Sequence, residues 1–410
     1  MAKKPKNILV ITYWAYFDAL IQTYTLPYLK IMQSKLPEGS KLYLLTLEQG
    51  KNQVNDSNRK AVQEELAKHN IILMDKPYKN FGYAAMINWV KIIFGLTFMI
   101  WTKRISFLHA FCTDAAAAGC LLQLTTGRPL IVDSYEPHAE PMLESNTWTR
   151  ESNAFKILYF FEKWQTKSAT AVIACVESMK NYAKEKYGHT PENFYVKPAC
   201  VDFDLFSKDK IKDKELIKDL GLEDKIVCIY AGKFGGSYLG KEVFEFFKVT
   251  SDYYGDKLKI ILLNNQSEEM IQGWCDEYNL DRNIISKHFV MHHEVPKYMG
   301  LADFAITPFI PVPSKRYGSP LKTGEYWSLG LPVVVTRDIS DDSDIIEDNG
   351  IGAIIDVNKA SYEKAVKKID EILTTTTPEE RYNKINGIAK KYRSFEIADS
   401  VYTSLYSNLV

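Results

Sequence analysis

Lysines and a glutamate placed around glycine-rich turns are the residues of this chain best suited to chemistry, and the chemistry they suit is the handling of an anion. The densest group runs from Tyr317 to Thr336. Its Gly318-Ser319-Pro320 turn leads into a helix that opens near Pro320, carries Lys322 and Glu325 in its first turns, and is stopped by Gly330 before a buried strand. A helix N-terminus presents unpaired N–H groups and a partial positive charge, and Lys322 adds a full one. Glu325, one turn further in, can accept hydrogen bonds from a vicinal diol such as a ribose. The plain alternative for both side chains is a solvated surface.

A second group, Tyr230 to Glu242, reads as a strand, a glycine-rich loop and a helix. Gly235 to Lys241 satisfies the spacing Gly-x-x-x-x-Gly-Lys, yet Glu242 stands where a phosphate-binding loop needs Ser or Thr for Mg²⁺, and it would repel phosphate. Four further places hold polar residues of interest. Asp133 and His138 follow a buried strand, where open α/β sheets put ligands, and either line a reacting centre or cap the next helix. Tyr13 and Asp18 follow the first strand without the glycines of a dinucleotide site, and we place them on the side of a second substrate. Asp202-Phe-Asp204 has Asp-x-Asp spacing but lies in a connection between domains. His292 and His293 are adjacent and diverge on any regular element, so neither pair is expected to hold a metal.

These residues need a scaffold, and the chain spells one out. Short β-branched runs alternate with longer amphipathic stretches, the pattern of parallel strands joined by crossover helices. Strands are expected at Ile8–Ile11, Lys41–Leu47, Ile105–Ala110, Leu130–Asp133 and Ala171–Ala174, then at Ile226–Ala231, Lys259–Leu263, Phe289–Met291, Phe304–Ile306, Val333–Thr336 and Ala353–Ile355. The fold class is α/β, with two units in tandem. The charged stretch 208–225 marks the join, and the boundary is placed near residue 206. A last helical segment, from about 391, packs on one of the two.

The 410 residues suit two domains, and the 46% hydrophobic share excludes wholesale disorder. Lys plus Arg equals Asp plus Glu at 51 each, so no overall field holds nucleic acid, and none is expected as a partner. Six cysteines without CxxC spacing read as buried free thiols in a reducing compartment, and the apolar run after the basic start is too short for a signal peptide; a cytoplasmic protein is expected. The stretch 84–101 is nearly long enough to cross a bilayer, but Lys91 lies inside it. A helix covered by its own domain and an interfacial helix on a membrane both fit it better than a span.

Ser319-Pro-x-Lys322-x-x-Glu325-Tyr followed by Gly330-x-Pro332-Val-Val resembles the nucleotide-sugar signature of the retaining glycosyltransferases of family 4. Val201-Asp202-x-x-x-Phe206 resembles that family's interdomain connection, and Leu301-Ala-Asp-Phe-Ala-Ile-Thr-Pro308 one of its strands. The resemblance implies the GT-B architecture, two Rossmann-like α/β domains facing a central cleft: 1–206 for the acceptor, 207–390 for the donor, and a closing helix, 391–410, returning to the first. It implies that Lys322, Lys233 and Lys241 contact the pyrophosphate, that Glu325 holds the ribose beside the Gly318-Ser319 turn, and that His293 lies near the base. It implies that Asp133 and His138 stand by the donor sugar, and that Lys241 shares in catalysis. The activity implied is transfer of a sugar, with retention, from a nucleotide-diphosphate sugar to a glycan or lipid-linked glycan in cell-surface or polysaccharide synthesis, without metal or cofactor. A nucleotide-sugar epimerase or phosphorylase and a noncatalytic binding protein on the same architecture are the alternatives. Two positions depart from the family: Tyr317 replaces a glutamate that contacts the donor sugar, and Asn264-Asn265 replaces a glycine pair.

Overall fold

The computed structural model describes residues 4–79 and 83–409. The chain forms two compact units, one reaching to Pro198 and resumed from Glu396, the other Ala199–Phe395. The division falls at 198/199 rather than near 206, because the connection is tied into the second unit. The Ala199 N–H donates to Ser319 Oγ at 3.0 Å, and Val201 forms a bridge with Ser394.

The first unit is a seven-stranded parallel sheet of β1 (Asn7–Ile11), β2 (Leu42–Glu48), β3 (Ile71–Pro77), β4 (Ile105–Phe111), β5 (Leu130–Tyr135), β6 (Ala171–Ala174) and β7 (Phe194–Val196), ordered β3-β2-β1-β4-β5-β6-β7. The second is a six-stranded parallel sheet of β8 (Ile226–Ala231), β9 (Leu258–Leu263), β10 (Ile285–His288), β11 (Phe304–Thr307), β12 (Val333–Thr336) and β13 (Gly352–Ile355), ordered β10-β9-β8-β11-β12-β13. Inner strands such as β1 and β12 are largely apolar because helices cover both faces; Ile8 to Ile11 and Val333 to Val335 are fully buried. In each sheet the order reverses beside the first strand, between β1 and β4 and between β8 and β11. That reversal opens a crevice at the carboxyl ends of those strands, where the loops can diverge around a ligand.

The helices that matter below are α1 (Tyr83–Thr102), α2 (Thr113–Thr126), α3 (Ala139–Glu144), α4 (Asn153–Ser168), α5 (Glu242–Tyr254), α6 (Glu268–Glu277), α7 (Leu321–Ser328), α8 (Asp342–Asn349), α9 (Pro378–Arg393) and α10 (Phe395–Leu409). Helix α10 closes the first unit, with Tyr402 and Tyr406 buried. Two strands escaped the sequence reading: β3, whose outer end is exposed and charged, and β7, three half-buried residues. The strand expected at Phe289–Met291 is instead Ile285–His288, and Phe289 and Met291 are exposed after it. All six cysteines are buried free thiols.

Candidate functional site

In the second unit the site grows from the β8/β11 reversal. After β8 the glycine-rich loop runs antiparallel to the chain leaving β11. Tyr238 bridges Phe309 with ring centroids 4.5 Å apart, the Leu239 N–H donates to Pro308 O at 2.8 Å, and the Ile310 N–H donates to Ser237 O at 3.0 Å. The chain then makes a 3₁₀ turn over Pro313–Tyr317 and enters α7 with Pro320 as its N-cap. Helix α7 is clamped to the end of β8, the Ala231 N–H donating to Tyr326 Oη at 2.8 Å. Behind it, Arg393 of α9 pairs with Asp342 of α8 out of contact with water. Gly324 lets α7 approach this far: a Cβ there would stand 2.7 Å from Val201 Cγ2. Gly330 ends the helix region at φ +74° against Tyr382, as its position suggested.

Within this frame Glu325 is 5% exposed, and among the described residues nothing donates to its carboxylate. Its charge and that of Lys322 are both felt by His292, whose pKa is lowered by partial desolvation, then raised by Glu325 and lowered by Lys322. The Tyr238 phenol, pushed up by burial, feels Glu325 as well. Glu325 is thus within electrostatic reach of both His292 and Tyr238. Lys315 joins the loop side, its Nζ donating to Ser237 Oγ at 3.1 Å. Lys233 is exposed, with Nζ turned back over Gly236. The Gly318-Ser319 turn leads into α7, and Ser319 spends its Oγ on the Ala199 N–H.

His292 is the neighbour whose pKa Glu325 and Lys322 move, and it and His293 are both exposed. Lys241, at the N-cap of α5, forms an ion pair with Glu277 of α6 at 2.7 Å, half-exposed on both sides, which raises its pKa and engages its ammonium outside the Lys322 group. Lys315 and Tyr238 were missed. Only the loop-to-loop bridge brings them in, and no local spacing announces it.

In the first unit the β1/β4 reversal gathers Tyr13, Asp114 and His138. Tyr13 stacks on Trp89 of α1 at 6.5 Å and meets Tyr78 edge-on; burial, Tyr78 and the charge of Asp114 raise its pKa. His138 is the N-cap residue of α3, 23% exposed, with Nδ1 3.2 Å from Glu136 O. Desolvation pulls its pKa down, but Asp114, Glu136 and Glu162 together raise it. Beneath them Cys112 and Ser134 adopt positive φ (72° and 52°) at neighbouring strand ends, a conformation costing about 1–3 kcal/mol each that the surroundings must impose.

Asp133 lies between these two positions in a closed site, which corrects its expected role beside a substrate. The carboxylate is fully enclosed: Lys197 Nζ lies 3.2 Å from Oδ1, His109 Nε2 3.2 Å and Tyr402 Oη 2.6 Å from Oδ2, and the Ser134 N–H donates to Oδ1 at 2.7 Å. Burial alone would raise its pKa, but Lys197, His109 and Tyr402 hold it down to about 2. The Lys197 ammonium sits 3.6 Å from the centroid of Tyr28, and Tyr406 Oη is 3.3 Å from His109 Nδ1. This network fixes α10 and the strand ends, and it touches no solvent. Asp18 Oδ1 accepts from the Leu20 N–H at 2.9 Å, at the start of the following helix.

Asp202 Oδ1 accepts from the Asp204 and Leu205 N–H groups, which caps a turn, and among the described residues no three His, Cys, Asp or Glu side chains are grouped to hold a metal.

Residues 212–392 match the family described as glycosyl transferases group 1. No curated protein matches the sequence. Among solved structures the chain is similar to a glycosyltransferase from Rickettsia africae (13% identity, 99% of each chain, TM-score 0.71) and to Anabaena Alr3699/HepE with UDP-glucose (14%, 98% of this chain and 99% of that, 0.70). It is likewise similar to WaaG, a glycosyltransferase involved in lipopolysaccharide biosynthesis (13%, 98% and 99%, 0.67). The two parallel-sheet units have the GT-B fold, and residues 212–392, within the second, match the glycosyl transferases group 1 family.

Proposed function

We propose that this protein is a glycosyltransferase that takes its sugar from a nucleoside-diphosphate donor and passes it, with retention of configuration, to a hydroxyl of a cell-surface glycan or polysaccharide precursor. The observation that carries the donor assignment is the Glu325 carboxylate, which accepts no hydrogen bond from any described residue and lies nearly buried one turn inside a helix whose start bears Lys322. Such a carboxylate suits the two hydroxyls of a ribose, while the α7 amides and Lys322 suit the diphosphate. Structural likeness to a protein solved with UDP-glucose, and to one involved in lipopolysaccharide biosynthesis, supports the same reading.

In the reaction the bond from the anomeric carbon to the β-phosphate oxygen breaks, and a bond to the acceptor oxygen forms on the same face of the sugar. The acceptor's proton passes to the departing phosphate. Lys322, Lys233, Lys315 and the first amides of α7 neutralise the charge that grows on that phosphate, the step where fixed positive groups count most. Lys241 joins them when it leaves Glu277, since an exposed ion pair of that kind is weakly held. The acceptor side belongs to the first unit, at Tyr13 and His138. No step calls for a metal. The setting is cytoplasmic, in keeping with six reduced cysteines, and peripheral on a membrane through residues 84–101.

The test is a screen of UDP- and GDP-sugars with the purified protein, read as ligand-induced thermal shift and then as diphosphate release with an acceptor present. Release that depends on acceptor and collapses in Lys322→Ala supports transfer. An isomeric nucleotide sugar formed from donor alone would point to an epimerase and overturn it.

A further inference from the structure

We propose that the face built by α1, α2 and α4 of the first unit lies on an anionic lipid bilayer. This extends the membrane contact of the previous subsection and rests on that part of it alone. Helix α1 carries two apolar stripes. Ile92, Leu96 and Ile100 are buried and anchor it to its own unit, while Ile87, Val90, Phe94, Phe98 and Trp101 are exposed. The spacing 3-4-4-3 confines those five to an arc of about 80°, so they form one continuous ridge on a helix about 30 Å long. Phe94 is 78% and Phe98 69% exposed. The ridge continues sideways. Thr97 Oγ1 and Thr125 Oγ1 lie 3.3 Å apart where α1 meets α2, whose Leu124 is 71% exposed, and Gln123 of α2 donates to Ser168 O at the end of α4, whose Ile157 and Phe160 are exposed as well. Scattered exposed leucines mean little, but a contiguous three-helix patch of large apolar side chains is what interaction surfaces show.

Charge selects the occupant. Lys91, Lys103, Arg104, Arg128, Lys156, Lys163 and Lys167 lie on or beside these helices, and the only acids in the stretches 83–132 and 153–168 are Asp114 and the buried Glu162. That excess stands out in a chain with 51 residues of each sign. Arg128 stacks over Trp101 at 5.0 Å and Lys163 over Tyr159 at 4.9 Å, which holds cations at the rim of the apolar surface. A second copy docking by twofold symmetry would set this basic rim against itself. Lipid head groups carrying negative charge complement it, with the rings sunk into the acyl boundary. Among the described residues no helix is long and apolar enough to cross a membrane, so the contact lies along the surface.

The experiment is cosedimentation of the full chain with vesicles of phosphatidylcholine alone and of phosphatidylcholine with one-third phosphatidylglycerol. Wild type should pellet with the mixed vesicles, weakly with the neutral ones, and be released by salt. Phe94→Ser with Phe98→Ser should lower partitioning at least about tenfold, and Lys156→Gln with Lys163→Gln about tenfold. All these side chains are exposed, so melting temperature and calorimetric binding of UDP should not change. Equal binding to both vesicle types, absence of binding, or undiminished binding by the variants would overturn the proposal. So would a wild-type dimer in solution that Phe94→Ser dissociates, since a second copy would then be the occupant. Loss of UDP binding in wild type would count against the donor assignment and leave this one standing.

Discussion

Replacing Glu325 by glutamine separates a ligand-holding carboxylate from a structural one, because the two roles move stability in different directions. The residue is 5% exposed and receives no hydrogen bond from any described residue, so Glu325→Gln deletes no contact of the empty fold. Were it structural, losing a buried charge from its partners would cost about 3–5 kcal/mol and a large drop in melting temperature. On the present reading the melting temperature holds or rises. Donor binding, by contrast, loses a hydrogen bond to a charged group, about 1.5–3 kcal/mol, so the Kd for UDP should rise roughly ten- to 150-fold. Calorimetry with UDP and its 2′-deoxy analogue completes the cycle: removing the hydroxyl should weaken wild type and leave Glu325→Gln nearly unaffected, since the interaction is already gone. An unchanged Kd together with a lowered melting temperature would refute the assignment.

Lys322→Met and Lys315→Met should each reduce kcat/KM for sugar transfer by about tenfold or more at unchanged melting temperature, as expected when one fixed cation is withdrawn from a departing phosphate. Lys241→Met should leave the melting temperature unchanged, because the pair it breaks with Glu277 is exposed; turnover of that variant reports whether the ammonium swings to the diphosphate. Lys197→Met strands the Asp133 carboxylate and should destabilise the first unit by about 3–5 kcal/mol in chemical denaturation. The carboxyl of Asp133 sits at about 2 against an ordinary 3.8. Its folded pKa is depressed, so it contributes stability above pH about 4, roughly 2 kcal/mol, and that contribution fades as pH falls toward 2. Unfolding of Asp133→Asn should therefore show a shallower acid slope over that range than wild type.

The donor helix was legible because its signals are local: a Pro at the N-cap, Lys322 and Glu325 one turn apart, and Gly330 where only a left-handed residue fits. The strand pattern was legible for the same reason, except at β3 and β7, where an exposed charged end and a three-residue edge dilute it. What could not be read is what long-range packing decides. Asp133 occupies the place where α/β sheets hold ligands, yet Lys197 and Tyr402, the latter 269 residues away, close over it. Lys315 reaches Ser237 only because the Tyr238–Phe309 bridge laces two loops together. The stretch 84–101 satisfied two readings, a covered helix and an interfacial one, because α1 carries a buried stripe and an exposed one.

The most direct measurement is a structure of the full chain with a nucleotide-diphosphate sugar bound. It should place the diphosphate at the start of α7 within hydrogen-bonding distance of Lys322, and the ribose hydroxyls on the Glu325 carboxylate. A nucleotide seated elsewhere, with that carboxylate still unpartnered, would contradict the central claim.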